Sequence, residues 1–259
     1  MERLILMIVN LLKTIASSQS SKVEDVYKAP ALAPLVSKEK GHRKLEGLTL
    51  AFSVLTFLAL IVGGAVEIIP AIFSSHFIEK NPELKPYTPL QLAGRDLYIR
   101  EGCYTCHSQQ VRPMVHETLR FGEVSKASDF VYDHPFQWGS RRIGPDLSHV
   151  GGKYPDMWHF RHMHDPREVT PNSIMPTYTW LAQQKYDGDI LSKKLSVMKT
   201  LGVPYTDEEI KNAKELANEE AQKIAASLKD SGVGDDVADK EIVALISYLQ
   251  RLGKNGGKQ

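Results

Sequence analysis

The sequence predicts a mostly α-helical protein with one membrane-spanning helix near its N-terminus and a larger helical domain after it. Three observations predict this. Residues 48–69 are apolar over about the length of a bilayer crossing. Residues 89–101 and 241–252 carry apolar side chains at helical spacing. Between those two stretches stands Cys103-Tyr104-Thr105-Cys106-His107, with no βαβ pattern around it.

Length and charge bound the function. A chain of 259 residues holds one or two domains. Lys plus Arg is 32 and Asp plus Glu is 31, so nothing points to a nucleic-acid partner. Both cysteines lie in the one motif, so no disulfide framework is available.

Residues 1–47 form an N-terminal segment on the cytoplasmic side. It opens with a short apolar run, Leu4 to Val9, interrupted at Asn10 and Lys13. That run is too short to span, and reads either as an interfacial helix or as a signal-like segment. A serine-rich, proline-containing linker follows, then the basic residues Lys38, Lys40, Arg43 and Lys44. Those cations precede the spanning helix, assigned to 48–70, which places its N-terminal end in the cytoplasm and everything beyond Pro70 outside. In a bacterium with an outer membrane, outside is the periplasm. Glu67 is a charged residue in the span, a functional candidate by default, but it lies within a turn of Pro70 and can also reach the interface. Gly63 and Gly64 would let a second helix approach, as in a subunit of a membrane complex. Residues 71–88 read as a polar, proline-rich connector.

The domain at 89–255 begins with a helix at 89–101, capped by Thr88 with Pro89 in the first turn. Leu90, Ala93, Gly94, Leu97 and Tyr98 share one face. It runs into Cys-x-x-Cys-His, the attachment signature of a c-type haem. Two thiols within one turn can both add to the vinyl edge of one porphyrin, and the adjacent histidine then reaches the iron. A zinc site would need further Cys or His ligands at matching spacing, and the chain has no third cysteine.

For the sixth iron ligand, Met175 is favoured, with a histidine as the competitor. It sits in a loop between Pro171 and Pro176, downstream of the motif, and a neutral thioether raises the potential. Met198, in register with Leu191 and Leu195, reads as core. His159, His162 and His164 are either a metal cluster or histidines that face solvent or the haem propionates. Arg141 and Arg142 are either propionate partners or a solvated pair. The helix at 241–252 is the last, with Ile242, Leu245, Ile246 and Leu249 on one stripe. Segment 183–234 looks like an insertion. Its capping box at Thr206–Glu209 opens a charged helix running to about Lys229, read as a solvated excursion.

A first and a last helix packed through Gly94, Tyr98 and Tyr248 resemble the class I cytochrome c fold. In that fold the proline of Gly144-Pro145-Asp146-Leu147 accepts a hydrogen bond from the proximal imidazole, so Pro145 would hold His107 in one tautomer.

Four stretches carry a closer resemblance: Gly102–Pro113, Tyr132–Ser140, Arg142–Leu147 and Ser173–Pro176. They are similar to the mono-haem cytochrome c subunit of cbb3-type cytochrome c oxidases. The resemblance implies one covalently attached haem c, held by Cys103 and Cys106 with His107 and Met175 as axial ligands. It implies a catalytic partner with b-type haems and copper that reduces O2 to water. It implies a di-haem cytochrome c subunit or a soluble cytochrome c as donor. Trp138, Gly139 and Ser140 would face the catalytic subunit, with a calcium ion near the propionates there. The chain itself would be a non-catalytic electron-transfer subunit.

Three rival readings are the small subunit of a nitric oxide reductase, a free-standing anchored carrier, and a haem sensor or enzyme with an open iron position. The Tyr132–Ser140 stretch argues against the first, and Gly63, Gly64 and Glu67 against the second. Carbon monoxide binding would mark the third.

Overall fold

The apolar block folds as helix α1, Thr49–Ser74, in the computed structural model of the chain. The structure describes residues 45–74, 78, 81, 84–139, 141–234 and 236–253, with Asn10 and Thr14 besides. The interfacial or signal-like run, the basic residues at 38–44 and Ser140 lie outside the described residues. Contacts divide the chain into two units, residues 1–77 and 78–259.

In the first unit, Thr49–Pro70 is long and apolar enough to cross a membrane. Phe57, Leu60, Val62 and Val66 point outward, as lipid-facing side chains do. Gly63 has nothing within 4 Å of where a Cβ would stand. The helix does not stop at Pro70. It carries one further turn to Ser74 with Pro70 inside it, at the cost of one backbone hydrogen bond.

The second unit is built on two helices. In α2, Pro89–Arg100, the Thr88 hydroxyl accepts from the Gln91 amide, and Gln91 caps back onto Thr88. That reciprocal pair satisfies two of the three unpaired amides at the helix start, Pro89 having none. The last helix, Glu241–Arg251, is buried from Glu241 to Leu249. The two meet at Gly94, where a Cβ would stand 1.9 Å from the Ala244 carbonyl oxygen. Only glycine lets the backbones this close. Tyr98 and Tyr248 pack beside the contact with ring centroids 5.4 Å apart. Arg100 closes the far end with two hydrogen bonds, 2.7 and 2.6 Å, to Glu241.

Between them come α3 (Val115–Phe121), α4 (Asp156–His164), α5 (Pro166–Val169), α6 (Leu191–Thr200), α7 (Asp207–Lys211) and α8 (Ala213–Asp230), which makes the final helix α9. Among the described residues no strand forms; one isolated bridge pairs Lys185 with Lys240. In α6, Leu191, Leu195 and Met198 are buried, as their spacing predicts.

Segment 183–234 corrects the sequence-based expectation twice. The helix after Thr206 is not continuous: it breaks at Asn212 (φ −96°, ψ 17°) into α7 and α8. Nor is it a solvated excursion. Ala213, Ala217, Ala221, Ala225 and Leu228 form a buried i, i+4 ridge, and α8 packs on both α2 and α9. Alanine contributes little hydrophobicity per residue, so the stripe looks thin beside the charges. Its small side chains nonetheless let the helix lie close on its neighbours. Glu220 secures it, accepting from Thr88 Oγ1 at 2.6 Å and from the Ser247 hydroxyl on α9.

Candidate functional site

The motif follows directly on α2. Gly102 takes the left-handed conformation, φ 72°, and turns the chain into a single 3-10 turn at Cys103–Thr105. Both thiols are unpaired and half-buried. Burial pushes the Cys103 thiol up to about 12, so it stays protonated at neutral pH.

His107 is fixed from one side. Its Nδ1 lies 2.8 Å from the Pro145 carbonyl oxygen, which can only accept, so Nδ1 carries the proton. Burial lowers the His107 pKa, which favours the neutral ring. A neutral imidazole donating from Nδ1 keeps the Nε2 lone pair for a metal. Gly144 is what allows this geometry: a Cβ there would stand 2.2 Å from His107 Cε1. Backbone bonds register the two segments, from the Gly144 amide to the Cys106 carbonyl (3.0 Å) and from the Leu147 amide to the Ser108 carbonyl (2.9 Å).

A second loop covers the motif. Asp133, fully buried, accepts from Arg95 Nε at 2.7 Å and from the Tyr87 hydroxyl at 3.1 Å. Arg95 Nη2 also donates to the Pro135 carbonyl, 2.6 Å. These contacts pin the loop to α2. Phe130, Phe136 and Trp138 cluster beyond it. Gly139 then lies over the motif's backbone, where a Cβ would be 3.0 Å from the Tyr104 carbonyl oxygen. The Trp138 Nε1 proton is buried without a partner.

Arg142 is largely withdrawn from solvent. Its Nε donates to Ser108 Oγ at 2.7 Å, its Nη2 to the Gln110 carbonyl at 2.5 Å, and its Nη1 pairs with Glu117. Arg141 is exposed. The residues that engage Arg142 escaped the sequence reading. Glu117 is nearly inaccessible to solvent and binds Arg112 as well. Asp146 accepts from Ser108 Oγ (2.5 Å) and from the amides of Gln110 and Ser148 (2.8 Å each). Arg112 stands five residues upstream of Glu117, but Arg142 comes from another segment, and no local pattern marks that pairing.

Met175 is half-buried and packs against the core, in a loop whose Tyr178 amide donates to the Met163 carbonyl at 2.8 Å. Trp180 Nε1 donates to Glu101 Oε2 at 3.2 Å, which brings this stretch to the motif's side, and the Tyr178 phenol is raised by burial and then by Cys103 and Cys106. The three histidines of α4 separate. His164 is exposed and faces Glu168 at 3.7 Å. His159 is buried against Tyr154 and Trp158, and His162 stacks on Trp158 with centroids 4.6 Å apart. His159 Nε2 and His162 Nδ1 are buried without partners. Burial lowers the His162 pKa to about 4, and nearby His107 adds in the same direction. Among the described residues no group of three His, Cys, Asp or Glu is placed to hold a metal ion.

A membrane-capable helix, a helical domain closed by its first and last helices, and a Cys-x-x-Cys-His whose histidine leans on a proline carbonyl define the class of cytochrome c-like domains. Residues 42–255 match the family model described as cytochrome c oxidase, mono-heme subunit/FixO, and the chain belongs to that family. It is a mono-haem subunit of a cytochrome c oxidase, a membrane-associated electron-transport complex. A comparison with curated proteins found no match.

Proposed function

We propose that the chain is a membrane-anchored mono-haem c-type cytochrome that relays electrons to the haem b and copper subunit of a cbb3-type oxidase reducing O2 to water. One observation carries the reading: His107 Nδ1 is held at 2.8 Å by the Pro145 carbonyl, beside two unpaired thiols. That donor set fits a covalently bound haem.

Cys103 and Cys106 would each add S–H across a vinyl group. His107 would offer Nε2 to the iron and Met175 its thioether. Pro145 fixes the tautomer. The buried, unpartnered Trp138 Nε1 suits a propionate carboxylate, and Arg141 and Arg142 would be further partners for the propionates. The bound haem supplies one-electron chemistry, and the protein sets its position and potential.

Electrons would arrive from a di-haem cytochrome c subunit or a soluble cytochrome c. The basic residues before α1 favour a cytoplasmic N-terminus in the bacterial inner membrane, with the haem domain periplasmic. Glu67, Trp138 and Ser140 would contribute to the interface with the catalytic subunit, where a calcium ion is a further expectation.

The test is haem and metal analysis of the tagged protein purified from membranes in mild detergent. Haem b and copper with one haem c per chain are expected. Haem b with non-haem iron and no copper would indicate a nitric oxide reductase. Haem c alone, whatever the detergent, would indicate a free-standing carrier.

A further inference from the structure

Glu117 lies on α3, which carries none of the groups assigned to the haem, yet its carboxylate is buried between two arginines. One of them, Arg112, is half exposed and also donates its backbone amide to Glu117 Oε2 at 2.8 Å. The other, Arg142, turns from Glu117 to the segment after His107, bonding Ser108 Oγ at 2.7 Å and the Gln110 carbonyl at 2.5 Å. Ser108 passes the contact on to Asp146 at 2.5 Å. Asp146 is the residue next to Pro145, and Ser108 is the residue next to His107. The network therefore clamps the two segments whose separation is the His107–Pro145 hydrogen bond.

The geometry points to Glu117 as a positioning residue that sets, through Arg142, the His107–Pro145 hydrogen bond and thereby the potential of the haem. The inference rests on the reading of His107 as an iron ligand. A hydrogen bond donated from Nδ1 makes the imidazole a more basic ligand, which favours ferric iron. Loosening the clamp lengthens that bond and raises the potential.

The sign of the shift separates this from simple charge. Removing the negative Glu117 raises the potential by Coulomb's law alone, and removing the positive Arg142 lowers it. Positioning predicts a rise in both. The experiment is a redox titration of the c-type haem band in the purified complex, for wild type, Glu117→Gln and Arg142→Gln. Expected is an upward shift in both, between about twofold and tenfold in the ratio of reduced to oxidised haem at fixed potential, tenfold being ~59 mV. Faster exchange of the His107 Nδ1 proton should accompany it. Shifts of opposite sign, or none in either variant, would overturn the inference. If neither variant accumulates, Ser108→Ala removes the hydroxyl that links Arg142 to Asp146 and changes no charge. Positioning again predicts a rise, and an unchanged or lowered potential overturns it. Failure of the underlying reading looks different: a wild-type chain without a c-type haem spectrum, or a His107→Ala chain whose spectrum is unchanged.

Discussion

The Cβ that Gly94 lacks would stand 1.9 Å from the carbonyl oxygen of Ala244, a backbone atom that cannot step aside. Alanine in a helix interior is ordinarily better than glycine by about 1 kcal/mol. Here Gly94→Ala must part α2 from α9, and overpacking of a tight core costs about 1–3 kcal/mol. We expect net destabilisation near the upper figure, read as a lower midpoint in thermal unfolding followed by circular dichroism. An unchanged or raised midpoint would mean that the helices do not meet at this residue.

Arg95 and Asp133 form a salt bridge at 2.7 Å with both side chains out of solvent. Removing one partner of a buried pair strands the other charge and costs about 3–5 kcal/mol. Arg95→Leu should show that loss in denaturant unfolding and should free the loop that ends over Tyr104. Arg95→Leu combined with Asp133→Leu should recover part of the stability. A double variant no better than the single would show that the charges are not coupled.

Burial lowers the His159 pKa to about 4, with His162 adding in the same direction and Asp156 opposing. The folded pKa lies below the unfolded value of about 6.5, so the unfolded chain takes up the proton first. Stability is therefore full above about pH 6.5 and declines as pH falls toward 4, by an amount on the order of 3 kcal/mol for this residue. His162, also lowered to about 4 by burial, titrates in the same window. Denaturant midpoints between pH 7.5 and 4.5 should fall, and His159→Gln should flatten the slope. An equal slope in that variant would place the proton uptake elsewhere.

Ala217 is fully buried on the face that α8 turns to the rest of the domain. Ala217→Leu should cost about 1–3 kcal/mol by overpacking. Were α8 a solvated excursion, the same change would be neutral. Urea unfolding decides between these outcomes.

Met175 is the residue to change in testing the sixth ligand. Met175→Leu should leave covalent haem attachment intact and let the ferrous haem bind carbon monoxide, while the wild type binds little. If the wild-type haem binds carbon monoxide as readily as the variant, Met175 is not a ligand.

Much of this was legible locally. The apolar block of α1, the capping box at Thr88 and the stripes of α2 and α9 are matters of period and neighbouring chemistry. Gly94, the Cys-x-x-Cys-His motif and Gly-Pro-Asp-Leu also announce themselves within a few residues of sequence. The misreadings have a common origin. Arg142 read as equally open to water, because nothing near it in the chain shows that Glu117 waits on α3. The ridge on α8 read as solvated, because four alanines and a leucine outweigh a charged face only when α2 and α9 lie beneath them.

By itself, then, the sequence determined the helices that have a strong period and the turn that holds both thiols. These depend on spacings of a few residues, which local geometry reads directly. Only the tertiary structure decided where Arg142 and Glu117 spend their charge, which histidines of α4 are buried, and that α8 completes the core. Those outcomes depend on which distant segments meet. A buried charge or a small side chain takes its meaning from the partner that removes it from water.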